Sequence, residues 1–271
     1  SSVLRSSYRK PPCGPFQLRE PAVPRCAICH QDVERWLPHP HRERCSAFIE
    51  SMQAVGSDLE LYQCPACGCT DRDRHLWMYL RAAGVLPAIA GSRVLHIAPE
   101  PHLERLIASL GPALYVRGDL RPMRPGHVRL DVERLPFEGS VFDMIICNHV
   151  LEHVDSPQRA LDEFHRCLAP AGLLIAQTPF SPRLKGTFEV VGDITAEFAH
   201  QFFGQDDHVR LFGADIASHF HNAGFDGQLL QHSALLPDVA AVQWGCNTRE
   251  PLFAFWKPEQ SAAAPAPRSA A

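Results

Sequence analysis

Beyond residue 76 the chain alternates between two hydrophobic periods. Short apolar runs of strand length fall at 94–98, 114–119 (LYVRGD), 128–132 (VRLDV), 142–150 (FDMIICNHV) and 173–178 (LLIAQT). Between them apolar residues recur at helical spacing. In LWMYLRAAGVLPAIA, Leu76, Tyr79, Leu80 and Ala83 share one helix face, and PHLERLIASLG reads as the helix after the first strand. SPQRALDEFHRCLAPAG has Ser156 as N-cap, Pro157 at the first helical position, a stripe of Leu161, Phe164 and Leu168, and Pro170 and Gly172 as its stop. GADIASHFHNAGF reads as a helix closed by Gly224, with strands following near 227–234 and at 251–257 (PLFAFWK). Apolar strands alternating with helices imply a mostly parallel sheet covered on both faces.

The pattern divides the chain. Residues 1–25 are proline-punctuated and read as an extended arm, and residues 26–75 hold paired cysteines and many charges without a long amphipathic stretch. Residues 76–257 carry the α/β domain, within which the weakly patterned 179–212 is a candidate lid or substrate segment. The Ala/Pro/Ser-rich 258–271 reads as a disordered tail. With 271 residues, 45% of them hydrophobic and 21% charged, the chain can bury a core without staples. A formal net charge of −4 counts against a general nucleic-acid binder. There is no run of eighteen apolar residues and no signal-peptide core in SSVLRSSYRKPPCGPF. No membrane span is therefore expected, and a cytoplasmic location is.

Ten cysteines change the picture of the N-terminal half. Cys26-Ala-Ile-Cys29 and Cys64-Pro-Ala-Cys67-Gly68 are knuckle-like turns, each able to place two thiolates on one ion, and Gly68 lets the backbone turn toward sulfur. Two facing knuckles complete a tetrahedral zinc site with Cys26, Cys29, Cys64 and Cys67 as ligands, closed to water and therefore structural. Cys45, Cys69, His39 and His41 lie near enough in the chain to replace one of the four.

The ends of the apolar strands carry the polar residues. Asp119 closes the second strand, placed to accept hydrogen bonds from ribose hydroxyls, Asp131 lies near the end of the third, and Asn148-His149 end the fourth. That carboxyl edge is where open α/β sheets bind ligands. The order of Asp131, Leu135-Pro136-Phe137, Phe142-Asp143 and HVLEHV over 149–154 resembles class I S-adenosylmethionine-dependent methyltransferases of the small-molecule "type 11" group, over roughly residues 90–257. CPACG with DRDRHLWMYL, the sequence LHIAPE and FGQDDHVRLFG resemble a subgroup with a zinc-binding N-terminal segment. The resemblance implies a Rossmann-like, seven-stranded, mostly parallel sheet with an antiparallel last strand, plus a small N-terminal four-cysteine zinc-binding segment.

The resemblance also implies cofactor roles. Ala98, Pro99 and Glu100 form the turn under the methionine end of S-adenosylmethionine, with Glu100 receiving its ammonium. Asp119, followed by Leu120, takes the ribose; Asp131 and Val132 border the adenine; Asn148 and His149 lie near the reacting methyl. This chain departs from the family pattern at the first motif, where His96 stands at the usual acidic position and Ala98 at the first glycine. For an acceptor that must lose a proton, His149 is the first candidate base, then His208 and His153, because imidazole titrates near neutrality. The function expected is methyl transfer to oxygen or nitrogen of a small biosynthetic molecule. Two other readings remain at this point. One is a zinc-containing RNA methyltransferase, drawn from Arg42, Arg44, Arg72, Arg74 and His75; the other is a non-catalytic zinc-stabilised interaction module on a degenerate methyltransferase fold.

Overall fold

The computed structural model describes residues 21–259, so most of the expected arm (1–25) and tail (258–271) lies outside the described residues. In chain order the helices are α1 (Ala47–Ser51), α2 (Asp71–Ala82), α3 (Leu86–Ile89), α4 (Pro101–Ser109), α5 (Pro157–Cys167), α6 (Ala196–Phe203), α7 (Ile216–Asn222), α8 (His232–Leu235) and α9 (Ala241–Trp244). The strands are β1 (Arg93–Ile97), β2 (Leu114–Asp119), β3 (Val128–Arg129), β4 (Phe142–Cys147), β5 (Leu168–Ile175), β6 (Phe188–Glu189), β7 (Arg210–Leu211), β8 (Asp226–Leu230) and β9 (Leu252–Trp256). Seven of them form one sheet in the order β3-β2-β1-β4-β5-β9-β8, while β6 and β7 pair separately. In this sheet β9 runs opposite to the other six strands, pairing antiparallel with β5 and β8. The strand order reverses between β1 and β4, so the chain leaves these two adjacent strands in opposite directions and opens a crevice at their carboxyl ends.

Side-chain alternation builds the core on both faces. Val94, Met144, Ile146, Leu173 and Ile175 pack on one side with Leu76, Tyr79 and Leu80 of α2. Leu95, Ile97, Ile145 and Leu174 pack on the other with Leu161 and Phe164 of α5 and Phe220 of α7. The first cluster also takes in Cys26, Val33, Trp36 and Cys64, so the cysteine-bearing segment shares its core with the sheet. A third cluster joins Phe48 and Ile49 of α1 to Phe198, Phe202 and Phe203 of α6 and to Leu211.

Several boundaries differ from the sequence reading, each for a local reason. The helix expected over 76–90 starts earlier, at Asp71, where Thr70 and Asp73 form a reciprocal capping box, and breaks after Ala82 before α3. Leu168 belongs not to the α5 stripe but to β5, which runs through Pro170 and Gly172; the sheet register shifts there, with Phe142 opposite Leu168 and Met144 opposite Leu173. The third strand keeps only Val128–Arg129, leaving Asp131 and Val132 beyond its end. The fourth strand ends at Cys147, before Asn148, and β8 stops at Leu230, ahead of α8. Residues 179–212 contain β6, α6 and β7.

A buried guanidinium fastens the cysteine-bearing segment to the α/β core. Arg74 is fully buried, donating to the carbonyls of Gly245 (2.8 Å), Cys69 (2.9 Å), Leu61 (2.6 Å) and Tyr62 (3.2 Å). It lies 4.1 Å over the Trp36 ring, whose Nε1 donates to Val242 O. Gly245 has a φ of +59°, and a Cβ there would stand 2.5 Å from the Trp36 ring. Truncating Arg74 removes donors from four carbonyls, of which those of Cys69 and Tyr62 keep a backbone partner. We predict that Arg74→Met lowers unfolding free energy in urea by at least ~3 kcal/mol. A loss below ~1 kcal/mol would show that water replaces these bonds without cost.

Candidate functional site

The turn after β1 takes a backbone shape that favours glycine, yet alanine occupies it. Ala98 has a φ of +45°, and its N–H donates to Gly118 O at 2.7 Å. The turn delivers Glu100 to the N-cap of α4, with Pro101 at the first helical position. Glu100 Oε2 faces His96 Nε2 at 3.2 Å, and Oε1 accepts from Asn148 Nδ2 at 3.3 Å. His96 is fully buried, with Nδ1 2.9 Å from the Tyr115 hydroxyl. A carboxylate only accepts, so Nε2 carries a proton toward Glu100. Burial pushes the Glu100 carboxyl up, but the His96 hydrogen bond and charge outweigh it and hold the group below its ordinary value. The site thus fixes an ionised carboxylate where the usual motif offers glycine backbone. The Glu100–Asn148 contact spans the crevice from the β1 turn to the end of β4.

The two further acidic residues lie on the same carboxyl edge. Gly118 admits Leu130 because a Cβ there would stand 2.2 Å from Leu130 Cδ1. This close fit sets β2 against the segment after β3. Asp119 Oδ1 accepts from Arg121 N at 2.8 Å, and Asp131 Oδ1 accepts from Glu133 N at 2.9 Å. Each aspartate therefore uses one oxygen in a local turn and keeps the other available. Leu120 is 54% exposed beside Asp119, whereas Val132 is buried.

His149 sits in the left-handed region at a φ of +53°, with its N–H donating to Gln177 O. Its Nδ1 lies 3.4 Å from Glu152 Oε1 and its Nε2 lies 3.7 Å from Glu250 Oε1. Beyond Glu250 the chain of polar contacts continues to His75 Nδ1 (3.6 Å), from His75 Nε2 to His232 Nδ1 (2.9 Å), and from His232 Nε2 to Val239 O (3.0 Å). Burial raises the Glu152 carboxyl, but the opposing contributions, led by its hydrogen bond to His149, bring it down to about 2. Glu250 is likewise held low, burial being outweighed by His75 and His149. His149 therefore has an anionic carboxylate facing each ring nitrogen. Sequence reasoning missed Glu250 and His232 altogether. Glu250 reaches the site from the loop before β9, and no local pattern marks it.

His149 and His208 line a cavity of about 500 Å³ that also takes in His39, His41, Arg44 and Arg72. No carboxylate lies within ion-pairing distance of Arg72 among the described residues, while its charge helps to lower Glu100 and Glu250. The sequence reading had counted Arg72 only in a basic segment. His208 is buried, which pushes its imidazole below the ordinary value, and its Nδ1 donates to Phe203 O at 2.8 Å. His153 stands next to it, with ring centroids 4.7 Å apart.

The thiols gather at the far side of α2. Sulfurs of Cys26, Cys64, Cys67 and Cys69 lie within 4.8 Å of one another, and Cys29 Sγ is 4.0 Å from Cys64 Sγ. The knuckles match in backbone: His30 N donates to Cys26 O and Gly68 N to Cys64 O, with φ of +62° at His30 and +79° at Gly68. The Cys26–Cys67 separation of 3.9 Å and the Cys29–Cys64 separation of 4.0 Å fit edges of a tetrahedron built on Zn–S bonds of about 2.3 Å. Cys69 is 3.4 Å from Cys26 and receives Arg74 Nη1 at 3.5 Å. Five thiols thus compete for four positions.

Comparison with known proteins bears on this geometry. Residues 112–176 match the family model described as Methyltransferase domain. Among curated proteins none matches the chain. Among solved structures, the chain is similar to one from a complex between the Haloferax volcanii Trm112 methyltransferase activator and a methyltransferase, at 16% identity and a TM-score of 0.48, covering 69% of this chain and 92% of that one. It is also similar to an S-adenosylmethionine-dependent methyltransferase from Mesorhizobium loti, at 15% identity and a TM-score of 0.44, covering 65% of this chain and 94% of that one. With scores this low, the fold rests on the chain's own strand order. The match runs over β2 to β5, and the sheet order with its antiparallel β9 gives the described residues a Rossmann-like α/β fold.

Proposed function

We propose that the protein transfers a methyl group from S-adenosylmethionine to a small-molecule acceptor. The observation that carries this reading is Glu100, an ionised carboxylate fixed by His96 and Asn148 at the switch point of the sheet. It offers an anionic partner to the cofactor's ammonium, and the Ala98-Pro99 turn gives the methionine end its floor. Asp119 would hold the ribose diol beside Leu120, and Asp131 and Val132 would border the adenine. The bound cofactor supplies a methyl group already activated on a sulfonium. Residues of the chain have to align the acceptor behind that methyl and exclude water.

The cavity at His149 supports a small acceptor, since about 500 Å³ falls within the range of ligand pockets. For His149 to take a proton from an acceptor hydroxyl, one ring nitrogen would have to turn from Glu152 or Glu250 toward the cavity. Arg72, which lines the cavity and has no carboxylate within ion-pairing distance among the described residues, would orient an acidic group of the acceptor or of the cofactor. Among the described residues, no helix is long and apolar enough to cross a membrane.

Calorimetric titration with S-adenosylmethionine tests the reading. Wild-type protein should bind it, and Glu100→Ala should bind at least ~10-fold more weakly, as expected for loss of a charge-assisted hydrogen bond. An unchanged affinity in Glu100→Ala would remove Glu100 from the site. No binding by wild-type protein would favour the non-catalytic module.

The thiols fit a structural zinc ion, which would add its binding free energy to folding. Cys26, Cys64 and Cys67 would be ligands together with Cys29, leaving Cys69 as the Arg74-bonded neighbour. Zinc content then discriminates: Cys29→Ser should lose the ion, whereas Cys69→Ser should keep it. The opposite pattern would assign the fourth position to Cys69.

A further inference from the structure

We infer that Glu152, His153 and His208 form a binding site for a divalent first-row transition-metal ion at the wall of the cavity. One ring nitrogen from each histidine and one carboxylate oxygen lie within 4.8 Å of one another. Ligand bonds of about 2.0–2.2 Å require only a small closing movement from that spacing.

The hydrogen bonds around the cluster prepare it for an ion. His208 Nδ1 donates to Phe203 O at 2.8 Å, and His153 Nδ1 donates to Asp207 O at 3.1 Å. A carbonyl can only accept, so in the neutral ring Nδ1 holds the proton and Nε2 keeps its lone pair. An imidazole whose second nitrogen donates to a backbone carbonyl is the usual arrangement of a metal-ligating histidine. His208 is only 4% exposed, and its Nε2 has no hydrogen-bond partner among the described residues. Such a buried orphan costs ~1–3 kcal/mol unless something fills it. Glu152 is oriented in turn, its Oε2 accepting from the Thr178 hydroxyl at 3.0 Å.

The donor set states which ion fits. Two neutral imidazoles and one carboxylate suit Mn2+, Fe2+ or Zn2+, while Ca2+ and Mg2+ call for all-oxygen cages. Three protein ligands leave positions open, and His208 lines the cavity in which the acceptor is placed above. Resting on that reading of the cavity, the ion would hold an acceptor oxygen next to His149. The thiol cluster is a different site of softer ligands.

Mn2+ is the probe, because it prefers oxygen and nitrogen over thiolate. Full-chain protein is titrated with MnCl2, and free ion is read from its aqueous electron paramagnetic resonance signal. Wild-type protein should bind a single Mn2+. His208→Ala and His153→Ala should each weaken binding by at least ~10-fold, while His41→Ala, a cavity change outside the cluster, should not. The His153 side chain is 32% exposed, so its removal leaves the core intact should His208→Ala fail to fold. No Mn2+ binding by wild-type protein, or unchanged binding by His153→Ala, would overturn the site. Titration of the same samples with S-adenosylmethionine separates the two readings. Cofactor binding without Mn2+ binding rejects the metal site alone, and Mn2+ binding without cofactor binding rejects the methyl-transfer reading alone.

Discussion

The constraint on which the site depends is the solvation of three carboxylates at one edge of the sheet. Glu152 and Glu250 are buried and Glu100 partly so, and a buried carboxylate is tolerated only with donors around it. His96 and Asn148 satisfy Glu100, Thr178 and His149 satisfy Glu152, and His75 and His149 face Glu250. The donors come from β1, the loops after β4 and β5, and α2. Satisfying the charges therefore ties these segments together, and holds His149 in a backbone conformation that a non-glycine residue rarely adopts.

The cysteine-bearing segment is part of this arrangement. Its turns share a hydrophobic cluster with Tyr79 and Val94, and Arg74 fastens it to the loop at Gly245. From the same helix come His75, which faces Glu250, and Arg72, which lines the cavity. Thiol cluster and cavity thus both meet the first turn of α2, where Arg74 bonds to Cys69 and Arg72 lines the cavity. Contacts of α1 with α6 close the opposite wall.

Much of the sheet was legible because its strands are buried on both faces and read as apolar runs. The run expected over 142–150 forms β4 as far as Cys147, and the capped start of α5 at Ser156 stands as expected. The start of β5 was not legible, because Pro170 and Gly172 ordinarily end an element, and here they ride a register shift. The site was legible where neighbours in sequence stay neighbours in space, as with His96 and Glu100. It was illegible where distant loops converge: Glu250 lies about a hundred residues from His149, and only the fold brings them together. The two cysteine knuckles announced a cluster, but the place of Cys69 inside it depends on the position of Arg74.

The most direct test of the central claim is a crystal structure of the protein with the demethylated cofactor, S-adenosylhomocysteine. The account predicts its amino group against Glu100, its ribose hydroxyls on Asp119 and its sulfur directed toward the cavity at His149. Cofactor bound elsewhere on the sheet, or with its amino group remote from Glu100, would contradict it.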